Sequence, residues 1–222
     1  MLALLRKKGG FVGTMVGVDY STQSIELARE LQRSKGHSAY RTDSEDEDEG
    51  EISDDSREKQ QQHQPGQAEG AEQDMPSPGP IRFEEWDILA STAVLSPSGV
   101  GFSPSPTDET LAWFPYAQGG FDIVLDKGTF DAISLAGDAR DTRVCERYPD
   151  IVRQLIRNGG FLVITSCNWT EEELVKWFTS AGIADGQDRF EVWGRVEYPR
   201  FRFGGKEGQG VCTVCFQRVM SA

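Results

Sequence analysis

Two short apolar runs, Phe121-Asp122-Ile123-Val124-Leu125 and Phe161-Leu162-Val163-Ile164-Thr165, each stop abruptly at polar residues. Short runs of this kind, with almost no polar alternation, belong to strands buried on both faces. Such strands separated by helical segments imply a parallel sheet wrapped by helices. Met15–Asp19 and Arg82–Ile88 read as two further strands. Thr22–Ser34 reads as a helix with Ile25, Leu27, Ala28 and Leu31 on its inner stripe and Ser21 as N-cap. Asp150–Arg157 reads as a helix ended by Asn158-Gly159-Gly160. Thr170-Glu171-Glu172-Glu173 is a capping box that opens another helix, running to about Ala181 and burying Leu174, Trp177 and Phe178. Phe190–Tyr198 and Val211–Val219 are longer strand candidates around the turn Gly204-Gly205-Lys206-Glu207-Gly208. The expected fold is α/β: a doubly wound mixed sheet with a C-terminal antiparallel hairpin.

Charge defines what lies outside that fold. Of 36 acidic and 23 basic residues in the 222-residue chain, 13 acidic and 3 basic ones fall between Arg41 and Pro80. That stretch holds only Ile52 and Met75 as large apolar residues, too few to offset a backbone ordering cost of ~1–2 kcal/mol per residue. Residues 43–80 are therefore expected to be an acidic disordered insertion. Residues 96–110, rich in Pro, Ser and Gly, are expected to be an irregular loop. The remaining ~170 residues suit one domain, so residues 1–222 read as a single domain carrying two loops. Outside the acidic stretch the charges nearly balance, and no basic footprint points to direct nucleic-acid binding. No apolar run approaches the ~20 residues that span a bilayer. The N-terminal residues lack the layout of a secretory signal, and four scattered cysteines do not make a disulfide framework, so the expected location is cytoplasmic.

In open α/β sheets ligands bind beyond the carboxyl ends of the strands. Asp19 closes the first strand and is placed to accept hydrogen bonds from ribose hydroxyls; it equally suits the cap of the helix near Thr22. Asp87 ends the second and could accept from an adenine amino group, with Ile88 as an apolar wall. Asp126 ends an apolar strand in a charge, and Gly128-Thr129 suggests a tight turn that brings it to the crevice. A carboxylate there could orient a substrate ammonium or help it lose a proton. Asp131 suits a helix cap or anchor. Asn168, in Ser166-Cys167-Asn168-Trp169, offers a donor and an acceptor, or serves as turn chemistry before Thr170. Cys212 and Cys215 point to opposite faces of a strand and find no second ligand pair, so no metal site is expected.

The segments Val16-Gly17-Val18-Asp19-Tyr20-Ser21, Trp86-Asp87-Ile88-Leu89, Asp126-Lys127-Gly128-Thr129-Phe130-Asp131-Ala132-Ile133 and Ser166-Cys167-Asn168-Trp169-Thr170 occur in this order. Together they resemble the seven-β-strand, S-adenosylmethionine-dependent protein-lysine methyltransferases that modify translation elongation factor 1-alpha, in particular the fungal branch. The resemblance implies a Rossmann-like fold and S-adenosyl-L-methionine as cofactor. It implies Asp19 at the cofactor ribose, Tyr20 against the adenine, and Asp87 with Ile88 at the adenine edge. It further implies Asp126, with Asn168, at the methyl donor and the entering lysine of elongation factor 1-alpha. A monomer is expected.

The chain departs from that pattern at its start. A glycine-rich loop is expected ~20 residues before the ribose-binding acid, which places it just ahead of Met1, with Leu2–Lys8 as the remainder of the helix that follows. The loop and the strand before it are therefore expected to be missing, through N-terminal truncation, leaving a gap in the sheet. The alternative reading is a truncated or degenerate, non-catalytic methyltransferase-fold interaction protein; a nicotinamide-dependent oxidoreductase leaves the Asp126 and Asn168 motifs unexplained. With half the pocket absent, residues 1–222 are expected to bind S-adenosylmethionine poorly. Titration calorimetry checks this, and low-micromolar binding would contradict it.

Overall fold

The computed structural model describes residues 1–41, 78–135, 142–180, 188–199, 201–203, 206–208 and 210–220. Nearly all of the acidic stretch expected at 43–80 lies outside them, as do Gly204 and Gly205 of the expected turn. Contacts divide the chain into two compact units, Met1–Asp87 and Ile88–Ala222. No helix among the described residues is long and apolar enough to cross a membrane.

The first unit contains α1 (Leu2–Gly9), β1 (Met15–Asp19), α2 (Thr22–Arg33) and β2 (Ile81–Glu85). β1 and β2 pair in parallel, from Met15 opposite Ile81 to Asp19 opposite Glu85. The α2 N-terminus is capped as expected, with the Ser24 N–H donating to Ser21 Oγ. Its inner stripe differs by one residue: Ile25 is buried, whereas Leu27 is 60% exposed. At 100° per residue, position 27 sits 200° from position 25, on the far side of the helix. Arg29 donates to the Phe83 carbonyl and Gln32 to that of Ile81, so α2 grips the backbone of β2.

The second unit contains β3 (Phe121–Lys127), α3 (Thr129–Leu135), α4 (Thr142–Gln154), β4 (Ile156–Ser166), α5 (Glu171–Ser180), β5 (Asp188–Val196), a small hairpin of β6 (Phe201–Phe203) and β7 (Lys206–Gly208), and β8 (Cys212–Met220). Its sheet runs β3-β4-β8-β5, with β3 and β4 parallel and β8 antiparallel to both β4 and β5. This is the expected α/β class, with a mixed sheet and a C-terminal antiparallel pair. Among the described residues β1–β2 and β3-β4-β8-β5 are separate ladders, and β1 and β3 each have a strand partner on one side only.

Helix α4 differs from expectation. It begins eight residues earlier, at Thr142, and Pro149 sits inside it rather than at its start. Burial of Tyr148 and Val152 on either side of the proline keeps the helix together. Residues 156–160, expected to end that helix, are the opening of β4, where Phe121 pairs Ile156 and Ile123 pairs Phe161. The skipped residues form a bulge around Gly159, whose φ of +76° is costly for any side chain.

Leu162 and Ile164 of β4, Val214 and Phe216 of β8 and Phe190 of β5 form a dry face against Phe130 of α3, Tyr148 of α4, and Leu174 and Phe178 of α5. Phe130 stacks on Tyr148 with centroids 5.6 Å apart, and Phe178 on Phe216 at 5.4 Å. The opposite face is only partly covered: Ile123 is 42% and Trp193 67% exposed.

Arg218 continues the inward set Val214, Phe216, Arg218 of β8 and is fully buried. Its Nε and Nη2 donate to the two oxygens of buried Asp188 at 2.9 and 2.6 Å. Its remaining N–H groups donate to the carbonyls of Ser96, Pro97, Arg153 and Ile156. Arg153, also buried, donates to Asp188 at 3.1 Å and to Asp150 at 2.7 Å. This network fastens the otherwise irregular 88–115 segment to the sheet. Removing one member of a buried ion network leaves an uncompensated charge and typically costs ~3–5 kcal/mol. Asp188→Ala is expected to lose about that much stability in urea unfolding, with faster proteolysis within residues 96–110.

Candidate functional site

In the first unit, Asp19 and Asp87 lie at one edge. β1 and β2 run parallel in register, so both carboxyl ends emerge together, with Asp87 two residues beyond β2. The Trp86 N–H donates to the Asp19 carbonyl at 2.9 Å, tying the two exits. Half-buried Asp19 accepts the Ser21 N–H on Oδ1 at 2.8 Å. Its second oxygen has no hydrogen bond among the described residues. Tyr20, next to it, is 75% exposed. Neighbouring Glu85 accepts the Thr22 hydroxyl at 2.9 Å, so it stabilises the start of α2. A carboxylate with one free oxygen, a second exposed carboxylate on the adjacent strand exit and an open aromatic ring fit a ribose and a planar base.

In the second unit, Asp126 and Asn168 share another such edge. Asp126 pairs Ile164 across the parallel β3–β4 ladder, and β4 ends two residues later, ahead of the loop carrying Asn168. Gly128 turns the chain with φ +91° and α3 follows at once. Asp126 is 3% exposed. Its Oδ1 accepts the Thr129 N–H at 2.9 Å, while Oδ2 accepts the Phe130 N–H at 3.2 Å and the Tyr148 hydroxyl at 2.7 Å. Asp126 is thus a buried carboxylate that holds the first amides of α3. Burial pushes its carboxyl above the ordinary value, against the hydrogen bonds from Tyr148, Thr129 and Phe130 that lower it. Burial, then the Asp126 charge, raises the Tyr148 phenol well above its usual range.

Exposed Asn168 donates its N–H to Ser166 Oγ at 3.1 Å. Asp131, expected as a helix cap or anchor, reaches across to the loop after β4. Its oxygens accept the Ser166 hydroxyl and the Cys167 N–H. The Thr170 capping box forms as expected: the Thr170 N–H donates to Glu173 at 2.9 Å and the Glu173 N–H returns to Thr170 Oγ1 at 3.3 Å. Cys212 donates to the Trp169 carbonyl and Cys215 is half-buried; burial pushes both thiols above their ordinary value. Among the described residues no cluster of His, Cys, Asp and Glu is placed to hold a metal ion.

Tyr148 was not among the residues singled out from sequence. It lies 22 positions beyond Asp126, in the part of α4 that precedes the start expected from sequence, and only the packing of α4 against α3 and β4 brings the two together. Asp19, Tyr20 and Asp87 thus belong to the first unit, and Asp126 and Asn168 to the second. Ile88 opens the second unit and is half-buried.

The strand-exit carboxylates stand on parallel strand pairs of an α/β protein, at the edge where sheets of this kind bind their ligands. No protein-family model matches the chain. Over 138 residues, 61% of its length, it is 41% identical to "Protein-lysine N-methyltransferase EFM4" of Saccharomyces cerevisiae, covering 57% of that protein. It is 41% identical over 101 residues to the human "EEF1A lysine methyltransferase 2" and 39% over 100 residues to the zebrafish (Danio rerio) protein of that name, covering 39% of each. The chain thus matches little more than half of the yeast relative and about two fifths of the others. The resemblance read from the motifs is borne out: the chain is related by sequence to these protein-lysine methyltransferases. Among solved structures, a SAM-dependent methyltransferase from Methanosarcina mazei is similar at TM-score 0.42 and 13% identity, over 94% of this chain and 83% of that one. A likeness at that level adds nothing to the assignment.

The raised carboxyl of Asp126 gives a pH prediction. A group protonated more readily in the folded than in the unfolded state contributes fully below its unfolded pKa, and that contribution is lost as pH rises through the folded value. The stability advantage of wild type over Asp126→Asn is therefore expected to be largest in acid. It should shrink as pH rises above the ordinary carboxyl range, as urea unfolding at a series of pH values will show.

Proposed function

We propose that the chain belongs to an S-adenosylmethionine-dependent protein-lysine N-methyltransferase whose substrate is a lysine of translation elongation factor 1-alpha. The observation that carries this reading is the 41% identity over 138 residues to the yeast EFM4 methyltransferase. The carboxylates at the exits of the parallel strands support it. Asp19 would hold the ribose hydroxyls through its free oxygen, with Tyr20 against the base. Asp87 would accept from the adenine amino group, with Ile88 beside it. Bound S-adenosylmethionine supplies an electrophilic methyl group on a sulfonium.

The attacking lysine Nε must be neutral and in line with that methyl. The protein's tasks are therefore to strip water from the amine and to align it. With both oxygens of Asp126 engaged, its part is to place α3 and lend a negative field, not to carry the proton away. Asn168, exposed at the neighbouring exit, offers its amide oxygen to the amine's N–H. The work is done in the cytoplasm by a monomer, with no direct nucleic-acid or membrane contact. A non-catalytic interaction protein is the second reading, and the burial of Asp126 favours it.

Mass spectrometry of elongation factor 1-alpha from cells with and without the gene separates the two readings. The expected result is loss of methylation at one lysine on deletion, restored by the wild-type gene. Unchanged methylation at every lysine supports the non-catalytic reading.

A further inference from the structure

The loop after β4 is held from one side by a single helix. In the first turn of α3, Asp131 Oδ1 accepts the Ser166 hydroxyl at 2.5 Å and Oδ2 accepts the Cys167 N–H at 2.9 Å. Ser166 is buried, and its oxygen in turn accepts the N–H groups of Asn168 at 3.1 Å and Trp169 at 3.0 Å. One turn further along α3, Ser134 Oγ accepts the Trp169 indole N–H at 3.1 Å, while its own hydroxyl donates back to the Asp131 carbonyl. Phe130 of the same helix stacks on the Trp169 ring, with centroids 5.7 Å apart. The start of α3 is itself fixed by Asp126. The carboxylates of Asp126 and Asp131 thus bind the exits of β3 and β4 into one piece.

We propose that Asp131, acting through Ser166, is a positioning residue that sets the backbone of the Asn168–Trp169 segment relative to Asp126. Its chemistry suits the task. An ionised carboxylate accepts on both oxygens, and polarisation of the Ser166 hydroxyl by that charge strengthens its oxygen as an acceptor for two amides. The two donors approach different oxygens, and an asparagine of the same shape puts an NH2 in place of one of them, so in this geometry it can accept from Ser166 or from Cys167 but not from both. The consequence for catalysis rests on the lysine-methyltransferase reading; the consequence for the loop does not.

Two measurements on Asp131→Asn, Ser166→Ala and Ser166→Thr test the proposal. The first is amide hydrogen exchange in the 222-residue chain. In Asp131→Asn and Ser166→Ala, exchange at Asn168 and Trp169 should accelerate by about tenfold or more, the size expected from losing a charge-assisted bond. Exchange at Leu162 and Ile164 should stay as in wild type. Ser166→Thr, which keeps the hydroxyl, should retain protection. Unchanged exchange at Asn168 and Trp169 overturns the proposal, and so does equal acceleration throughout β4, which would mark a merely structural role.

The second measurement is the kinetics of elongation-factor methylation by the protein expressed from the full gene. Here kcat should fall by about tenfold or more with KM for the protein substrate within about twofold, the pattern of lost alignment. A raised KM at unchanged kcat would mean that the segment serves docking instead and overturns the positioning role. If wild type itself shows no turnover, the methyltransferase reading fails, and hydrogen exchange still decides whether Asp131 sets the loop.

Discussion

The second unit depends on the parallel ladder between β3 and β4, in which Asp126 stands opposite Ile164. A parallel pairing sends two consecutive strand exits out of the same edge, and everything chemical in this unit is mounted there. The ladder places Asp126 against the first amides of α3 and the Ser166–Trp169 loop beside them. Helix α3, only seven residues long, is far too short to be stable alone. Its order comes from the Asp126 carboxylate at its N-terminus and from Phe130 buried among Tyr148, Trp169 and Phe178.

A buried carboxylate with three donors and a buried arginine–aspartate–arginine set are both costly to desolvate, and they serve different ends. The Arg218–Asp188–Arg153 set gathers carbonyls from a loop, a helix and a strand, giving a long irregular segment a single seat. Ions so placed add little stability over a well-packed apolar group, but they penalise any arrangement that leaves them unpaired. Asp126, by contrast, fixes one helix start at a strand exit, where position matters for chemistry. Among the described residues β1 and β3 each pair on one side only, and Ile123 is exposed because it stands on the sheet face that is only partly covered.

Where sequence and structure agree, the signal was local. The Ser21 and Thr170 caps, the apolar runs ending at Asp19 and Asp126, and the alternation of β8 all follow from periodicity and side-chain chemistry within a few residues. Where they differ, a distant contact overrode the local preference. A helix is expected to open at Asp150, yet α4 begins at Thr142 and runs through Pro149 because Tyr148 and Val152 are buried on either side. Asn158-Gly159-Gly160 reads as a helix stop but forms a bulge, held by the Asn158 N–H on the Gly99 carbonyl and by Arg218 on Ile156. Asp131 reads as a cap or anchor of its own helix because its partners lie 35 and 36 residues away.

The sequence by itself determined the α/β class, the strand exits that carry carboxylates, and the kinship with lysine methyltransferases, because apolar strand runs and motif order are written residue by residue. Only the tertiary structure decided that Asp126 is buried with both oxygens engaged, that Tyr148 is its partner, and that Asp131 holds the neighbouring loop. Those facts depend on which side chains meet after the helices pack. A hydrogen bond across 22 or 35 residues leaves no periodic trace in the chain that makes it.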